Sequence, residues 1–153
     1  MLVVVQRVAR AAVQVEGRSV ASIERGVLLL ACAVSGDSDE EIDWLADKLA
    51  GLRIFEDAQG RTNLALADVG GAVLLVPQFT LAADWRKGRR PSFSAAAPPA
   101  EATPLLARLA AGLAARGLPV QQGVFGAAMR VELVNDGPFT LVLDGRQRPG
   151  GEP

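Results

Sequence analysis

The sequence contains no histidine and only one cysteine among its 153 residues. Ser-His-Asp triads, Cys-His pairs and the usual zinc sites all depend on imidazole, so the absence of histidine excludes these chemistries. The lone Cys32 cannot form an intrachain disulfide, and its place in the apolar run 27–34 predicts a buried, inert thiol. We expect neither a metal ion nor an organic cofactor.

Long hydrophobic runs are also lacking. No apolar run reaches the roughly 18 residues of a membrane-spanning helix, and no basic stretch at the N-terminus precedes an apolar stretch and a cleavage site. We therefore expect a cytoplasmic protein without membrane contact. With 50% hydrophobic residues the chain is long enough for one core only, so residues 1–144 are predicted to form a single domain and residues 145–153 a disordered tail.

Short β-branched and apolar runs predict strands. Residues 2–8 and 13–15 alternate like the two arms of a hairpin, and the uniformly apolar run 27–34 predicts a central strand. Further strands are predicted at 72–76, 129–134 and 139–143, the last two flanking a turn.

Two segments predict helices. Ser38 and Glu41 form a capping-box pattern, and apolar residues follow at helical spacing: Ile42, Leu45, Ala46, Leu49 and Leu52. For the second helix, Thr103 is the predicted cap, Pro104 the first helical residue and Gly117 the end. The elements together indicate a β-rich α/β domain with two main helices.

A basic cluster stands out against a formal net charge of −1. Arg86, Lys87, Arg89 and Arg90 follow Trp85 closely, and guanidinium groups beside an aromatic ring suit contact with RNA phosphates and bases. A solvated surface loop is the alternative interpretation.

The segment 135–140 contains a Gly-Pro pair. Gly137 has no Cβ, and Pro138 lowers the cost of a cis peptide bond to about 0.5–1 kcal/mol. The pair can therefore present carbonyl oxygens at angles that an ordinary dipeptide cannot, and a rigid carbonyl pair can sense chirality. A plain turn between strands is the alternative.

Several blocks of the sequence resemble the D-aminoacyl-tRNA deacylases, in the same order and over almost the whole chain. They lie at residues 6–8, 52–55, 63–64, 70–71, 78–81, 90–94, 125–127 and 133–140. The resemblance implies an α/β fold with mixed, barrel-like sheets and a cytoplasmic, homodimeric hydrolase that proofreads tRNA. Such an enzyme cleaves the ester between a D-amino acid, or glycine, and the 3′-terminal adenosine of tRNA.

The resemblance also implies roles for individual residues. A Gly-cis-Pro pair, matched here by Gly137 and Pro138, enters the partner subunit's active site as a chirality filter, and Arg7 helps to hold its carbonyls. Phe125 and Met129 would line the adenosine pocket, although core packing is the commoner use of such side chains. Two carbonyls placed against Cα would collide with an L side chain and accept a D-residue or glycine.

The reaction itself is assigned by resemblance to Gln78, Phe79 and Thr80, which follow the predicted strand 72–76. Backbone N–H groups in this loop can stabilise an oxyanion without imidazole. Thr80 is a candidate nucleophile, but no evident base activates it. We favour hydrolysis in which the 2′-hydroxyl of the terminal adenosine positions or activates water.

One departure concerns Pro77, which replaces the serine of the family's usual Ser-Gln-Phe-Thr motif. A related animal-type branch that acts on mischarged L-alanine shares this proline, so deacylation of L-alanyl-tRNA stays open as an alternative. A non-enzymatic tRNA-binding module is a second alternative. A hydrolase that uses Cys32 is a third, which an apolar strand disfavours.

Overall fold

The computed structural model describes residues 1–150, in which a curved mixed sheet is covered on one face by two α-helices. The strands are β1 (Leu2–Val15), β2 (Arg18–Ile23), β3 (Gly26–Cys32), β4 (Phe55–Glu56), β5 (Thr62–Leu64), β6 (Ala72–Pro77), β7 (Val120–Gln122) and β8 (Met129–Asp144). The α-helices are α1 (Asp39–Gly51) and α2 (Pro99–Ala115), and short 3-10 helices lie at Ala67–Val69, Phe79–Ala82 and Gly145–Gln147.

The main sheet has the order β2-β1-β3-β6-β7, and β8 pairs with β1. Strands β2, β3 and β8 run antiparallel to β1, whereas β6 runs parallel to both β3 and β7. Because β2 also lies against β6 and β7, the sheet curls into an almost closed barrel. The predicted fold class, a β-rich α/β domain with mixed, barrel-like sheets and two main helices, is confirmed.

Two apolar clusters follow from the alternation of side chains along the strands. One fills the interior of the curl and includes Val8, Val13, Ile23, Leu28, Leu74 and Val76. The other joins the opposite face of the sheet to the helices and includes Val3, Val5, Leu29, Leu75, Ile42, Leu45, Leu109 and Leu113. Each such buried side chain contributes about 1.5–3 kcal/mol to the hydrophobic stabilisation.

Strand β1 pairs along its whole length with other strands. One edge pairs with β8, and the other pairs first with β3 and then with β2. The prediction that residues 13–15 form a hairpin with residues 2–8 is wrong, because both belong to this one strand. The hairpin turns instead at Glu16 and Gly17, whose positive φ values of 51° and 75° suit a tight turn into β2.

The central position predicted for the apolar run 27–34 is confirmed by β3, which lies between β1 and β6. Its residues alternate between the two apolar clusters, so both faces are covered. At its start, Gly26 pairs with Ala72 of β6 at very close range, and only glycine leaves room for this approach.

The first helix begins as predicted, since the Ser38 hydroxyl accepts a hydrogen bond from the backbone N–H of Glu41. The carboxylate of Glu41 turns instead to the buried N-terminal ammonium of Met1, which also donates to Asp37. The second helix begins earlier than predicted, at Pro99 with Pro98 as its N-cap, and Pro104 lies inside it. Neither helix of residues 1–150 is long and apolar enough to cross a membrane.

The predicted strands 129–134 and 139–143 are one continuous strand, β8, with the Gly-Pro pair in a bulge. The predicted disordered tail needs correction at its beginning, because Gly145–Gln147 form a 3-10 helix after strand β8. There the guanidinium of Arg146 pairs with Asp144, and the backbone N–H of Gly145 donates to the Met1 carbonyl. Residues 151–153 of that prediction lie outside the described residues.

Candidate active site

A cavity of about 590 Å³ opens where β3 and β6 end. Its wall contains residues from five parts of the chain: the end of β3, the segment after β6, the loop before α2, the α2 helix itself, and the region from Phe125 to Val131. Pro77, Gln78, Phe79, Phe125 and Met129, five of the predicted site residues, line this cavity. The fold therefore brings together residues from Ala31 to Val131, which are 100 positions apart in the sequence.

Within residues 1–150, Thr80 is not among the residues that line the cavity, but a side-chain hydrogen bond joins it to Gln78, which does line it. The Gln78 amide Nε2 donates to the Thr80 hydroxyl Oγ1 over 2.5 Å. Because the Thr80 oxygen accepts this bond, its own proton is directed elsewhere and can donate to a second acceptor. The hydroxyl is thus oriented as a hydrogen-bond donor.

The backbone after β6 offers fewer free donors than the sequence predicts. The N–H of Gln78 donates to the Ala31 carbonyl over 2.8 Å, so Gln78 is not an oxyanion donor through its main chain. In the 3-10 helix that follows, the first hydrogen bond runs from the Leu81 N–H to the Gln78 carbonyl. The N–H groups of Phe79 and Thr80 precede this bond and do not take part in it. Donors at the start of a helical turn have no intrahelical acceptor.

Aromatic side chains frame the mouth of the cavity. The ring of Phe79 is 59% exposed and meets Phe93 edge to face, with ring centroids 5.2 Å apart. Phe125 is 41% exposed, whereas Met129 is half-buried and also packs against the interior cluster. Such exposed rings beside a cavity suit stacking against a nucleobase.

Cys32 also lines the cavity, but its environment is that of an unreactive thiol. Its thiol lies within hydrogen-bond distance of the carbonyls of Ala33 and Phe79, at 3.3 and 3.5 Å. Burial raises the pKa of the Cys32 thiol above its usual value. This environment disfavours the thiolate that a cysteine nucleophile requires.

The Gly137-Pro138 pair lies in a bulge of β8. Gln6 pairs with Thr140 and Val8 with Asn135, so residues 136–139 stand opposite Arg7 alone. The peptide bond between Gly137 and Pro138 is cis. A Cβ at Gly137 would overlap the Asn135 side-chain oxygen and lie 2.7 Å from the Phe139 nitrogen, so the bulge accommodates only glycine there.

Arg7 holds this bulge from beneath and is itself buried. Its Nε donates to the carbonyl of Asp136 over 2.8 Å, and its Nη1 donates to the carbonyl of Ile54 over 2.6 Å. The guanidinium carbon lies 4.7 Å from the centre of the Phe139 ring. From this buried position in β1, Arg7 contacts the residues on both sides of the Gly-Pro pair.

Asn135 closes the neck of the bulge. Its side-chain amide donates to the carbonyls of Arg7 and Phe139, over 2.9 and 3.1 Å. The segment is fixed at its base while Gly137 and Pro138 are exposed. Within residues 1–150, neither of these two residues lines the cavity described above.

The basic cluster forms the tip of an exposed loop beside the cavity. Arg86 pairs with Asp84 through both carboxylate oxygens, at 2.9 and 2.8 Å. The Arg86 side chain and backbone N–H hold the pKa of Asp84 well below its usual range. The charge of Arg86 is thus partly offset by Asp84, and Lys87, Arg89 and Arg90 carry the other positive charges of the cluster.

Sequence reasoning missed several contributors to these two sites. Phe93 forms the aromatic pair with Phe79, and Asn135 and Asp136 anchor the bulge. Their presence in the resembling blocks 90–94 and 133–140 was an available signal. Within residues 1–150, no group of Cys, Asp and Glu side chains is arranged to hold a metal ion.

Comparison with known proteins matches this chain to one family of enzymes. The family model for D-Tyr-tRNA(Tyr) deacylase matches residues 4–144. The D-aminoacyl-tRNA deacylase of Thermomicrobium roseum is 56% identical over 151 residues, covering 99% of this chain and 98% of that protein. That of Geotalea uraniireducens is 53% identical over 144 residues, covering 94% and 93%.

Solved structures share the fold. A structure described as c-Myc DNA Unwinding Element Binding Protein superposes with a TM-score of 0.87 at 35% identity, covering 94% of this chain and 98% of that one. A probable eukaryotic D-amino acid tRNA deacylase superposes with a TM-score of 0.76 at 20% identity, covering 93% and 97%, which shows the fold alone.

The barrel-like fold, its cavity and these relatives define a class of hydrolases that act on the aminoacyl-tRNA ester. Within that class, the chain belongs to the D-aminoacyl-tRNA deacylase family.

Proposed function

We propose that this protein hydrolyses the ester of D-aminoacyl-tRNA, and of mischarged glycyl-tRNA, in the cytoplasm, releasing the free amino acid and tRNA. The observation that carries the proposal is the cavity itself, where Gln78, Phe79, Phe125 and Met129 meet in a chain of this family. Its aromatic mouth suits the 3′-terminal adenosine, and the Phe79 and Thr80 N–H groups suit the oxyanion of the ester.

The chirality filter is proposed to act between two copies of the chain. Gly137 and Pro138 are exposed on a firmly anchored bulge, yet they do not reach the cavity of their own chain within residues 1–150. On the same strand, Leu133, Val134 and Val142 are exposed apolar residues, and within residues 1–150 the strand β8 pairs with β1 alone. A homodimer would cover this surface and bring the bulge of one copy to the cavity of the other.

In this arrangement the rejection of L-substrates is steric. A D-residue and an L-residue share every functional group and exchange only hydrogen and side chain at Cα. Backbone carbonyls of the bulge, placed against Cα, would collide with an L side chain and leave a D-residue or glycine unhindered. Glycine enters because a shape filter cannot strongly exclude a smaller substrate, a difference of about 1–3 kcal/mol.

The chemistry is proposed to use the RNA. The 2′-hydroxyl of the terminal adenosine positions or activates water, while the protein orients the ester and stabilises the developing negative charge. The Thr80 hydroxyl, aligned by the Gln78 amide, donates a hydrogen bond and is not the nucleophile.

Replacing Thr80 with valine is expected to keep turnover within about tenfold of the unaltered protein, because one neutral hydrogen bond contributes about 0.5–1.5 kcal/mol. Single-turnover hydrolysis of D-tyrosyl-tRNA measures this directly. Complete loss of activity in a folded Thr80→Val protein would contradict the RNA-assisted mechanism. Gln78→Ala is the companion variant, since it leaves the Thr80 hydroxyl in place but removes its alignment.

The substrate assignment is tested by measuring hydrolysis of D-tyrosyl-, glycyl- and L-alanyl-tRNA side by side. We expect the first two to be cleaved and the third to survive. Preferential cleavage of L-alanyl-tRNA would show that Pro77 marks the alternative branch. If all three esters survive while the protein binds charged and uncharged tRNA equally, the protein is a binding module and not a hydrolase.

Lys87, Arg89 and Arg90 are proposed to contact tRNA phosphates, with Arg86 held back by Asp84. Phosphate contacts release counterions, so this binding weakens as salt increases. The proposal as a whole requires no metal ion and no organic cofactor.

A further inference from the structure

The loop of residues 84–92 is fixed to the rim of the cavity at both ends. Asp84 and Ser92 exchange two backbone hydrogen bonds, of 2.7 and 2.9 Å, which close the base of the loop. Asp84 follows the 3-10 helix that contains Thr80, and the neighbour of Ser92 is Phe93, which lines the cavity. Gly88, with φ of 71°, allows the tip to turn back.

Trp85 occupies the first position beyond this base and is 73% exposed. The two phenylalanines nearby, Phe79 and Phe93, pack against each other edge to face. Trp85 takes part in no aromatic pair and no cation–π contact with the part of the chain that the structure describes. Together with the exposed rings of Phe79, Phe93 and Phe125, Trp85 gives this edge of the cavity an aromatic surface, which favours contact with a partner.

The surroundings of Trp85 indicate what this partner is. Lys87, Arg89 and Arg90 follow it on the same tip, and Asp84 is the only carboxylate in the loop and is already paired with Arg86. An exposed ring among cations suits a single-stranded nucleic acid, whose bases stack on the ring while its phosphates pair with the cations. A duplex offers phosphates but no free base face.

We propose that Trp85 stacks on an unpaired nucleotide of the tRNA acceptor end, on the 5′ side of the terminal adenosine. This inference rests on the proposed function, in which the adenosine enters the cavity. Asp84 neighbours Trp85, Ser92 neighbours Phe93, and the two hydrogen bonds pair Asp84 with Ser92. The Cα atoms of Trp85 and Phe93 are therefore at most about 13 Å apart. The loop is therefore within reach of the nucleotides that precede an adenosine bound at Phe93.

Steady-state kinetics on D-tyrosyl-tRNA provide the first test. Trp85→Ala is expected to raise KM about tenfold and to change kcat less than about twofold, because stacking of one base corresponds to about 5- to 150-fold in binding. Trp85→Phe retains a ring and should raise KM less than about threefold. Trp44→Phe is the matched control, since Trp44 lies on α1 with Lys48 near its ring.

A short substrate separates the nucleotide contact from any effect on the cavity. D-tyrosyl-adenosine carries the ester and the adenosine but no preceding nucleotides, so Trp85→Ala should hydrolyse it as the unaltered protein does. If the variant loses as much on the short substrate as on tRNA, or if its KM for tRNA is unchanged, the stacking role is overturned. Failure of the unaltered protein on both substrates would count against the proposed function instead.

Fluorescence decides the role of Trp85 independently of catalysis. In a Trp44→Phe protein, Trp85 is the remaining tryptophan. An uncharged RNA hairpin that ends in unpaired CCA should quench its emission saturably, and the same hairpin with a blunt end should not. Equal quenching by both RNAs, or none by either, overturns the inference. A change with protein concentration alone would place Trp85 in a protein–protein contact and would also overturn it.

Discussion

Replacing Arg7 with alanine is expected to lower kcat/KM for D-aminoacyl-tRNA by about a hundredfold and to remove the discrimination against L-aminoacyl-tRNA. The Arg7 guanidinium donates to the carbonyls of Asp136 and Ile54 and lies against the Phe139 ring. Each hydrogen bond from a charged donor contributes about 1.5–3 kcal/mol. Without them, the bulge that carries Gly137 and Pro138 loses its fixed position.

The control for this variant lies on the same strand. Arg10 is exposed, and Arg10→Ala should change neither the free energy of unfolding by more than about 0.5 kcal/mol nor the ratio of D- to L-hydrolysis. Arg7→Lys keeps the charge but lacks the planar fork that reaches two carbonyls, so it should recover little of the lost discrimination. Urea unfolding of every variant separates loss of the filter from loss of the fold. A folded Arg7→Ala protein with an unchanged D/L ratio contradicts the role assigned to the bulge.

Replacing Gly26 with alanine is expected to lower the free energy of unfolding by at least about 3 kcal/mol. An added Cβ would overlap the carbonyl oxygen of Ala72 and lie 2.9 Å from its carbonyl carbon. These are backbone atoms of a neighbouring strand and cannot rotate away, so β3 and β6 must separate. Because the cavity lies where the same two strands end, at Cys32 and Pro77, activity should fall with stability.

Gly51→Ala is the matched control for Gly26→Ala. Gly51 is the last residue of α1, and a Cβ there would meet no atom of residues 1–150 within 4 Å. Alanine is the better helix former and restricts the unfolded chain, so the control should gain about 0.4–1 kcal/mol. Urea denaturation with a common m-value measures both variants. Equal stability of the two would show that the β3–β6 pair tolerates a wider spacing than the structure has.

The parts of the fold that could be predicted from sequence depend on local patterns. The run 27–34 is apolar at every position, which is typical of a strand covered on both faces, and β3 is such a strand. Ser38 has the right side chain at the right distance from Glu41 to cap α1. For β3 the deciding signal is that every side chain of the run is apolar. For α1 it is a contact between two residues that are three positions apart.

The parts that could not be predicted depend on distant partners. Residues 2–8 and 13–15 were separated because Arg10 and its neighbours interrupt the apolar alternation, yet β8 pairs with both pieces and holds them in one strand. The predicted turn at Gly137 likewise lies inside β8, because β1 supplies hydrogen bonds on either side of the bulge. A sequence shows a possible turn but not the strand that spans it.

The candidate site shows the same division. Gln78, Phe79, Phe125 and Met129 were assigned by resemblance, and the fold places them around one cavity. Composition and periodicity give no reason to join Phe79 with Phe125, since they are 46 positions apart. The ion pair between Asp84 and Arg86, which partly offsets one positive charge of the basic cluster, is likewise not evident from the sequence.

Strand β1 has partners on both edges, and Arg7 lies near its middle. The bulge that is proposed to sense handedness is therefore anchored to a strand with hydrogen-bonded partners on both edges, and not to a flexible loop. During evolutionary drift, substitutions that loosen it would also compromise folding and be eliminated by protein quality control. Related proteins can consequently diverge in the exposed loop of residues 84–92 while they retain the proposed chirality filter.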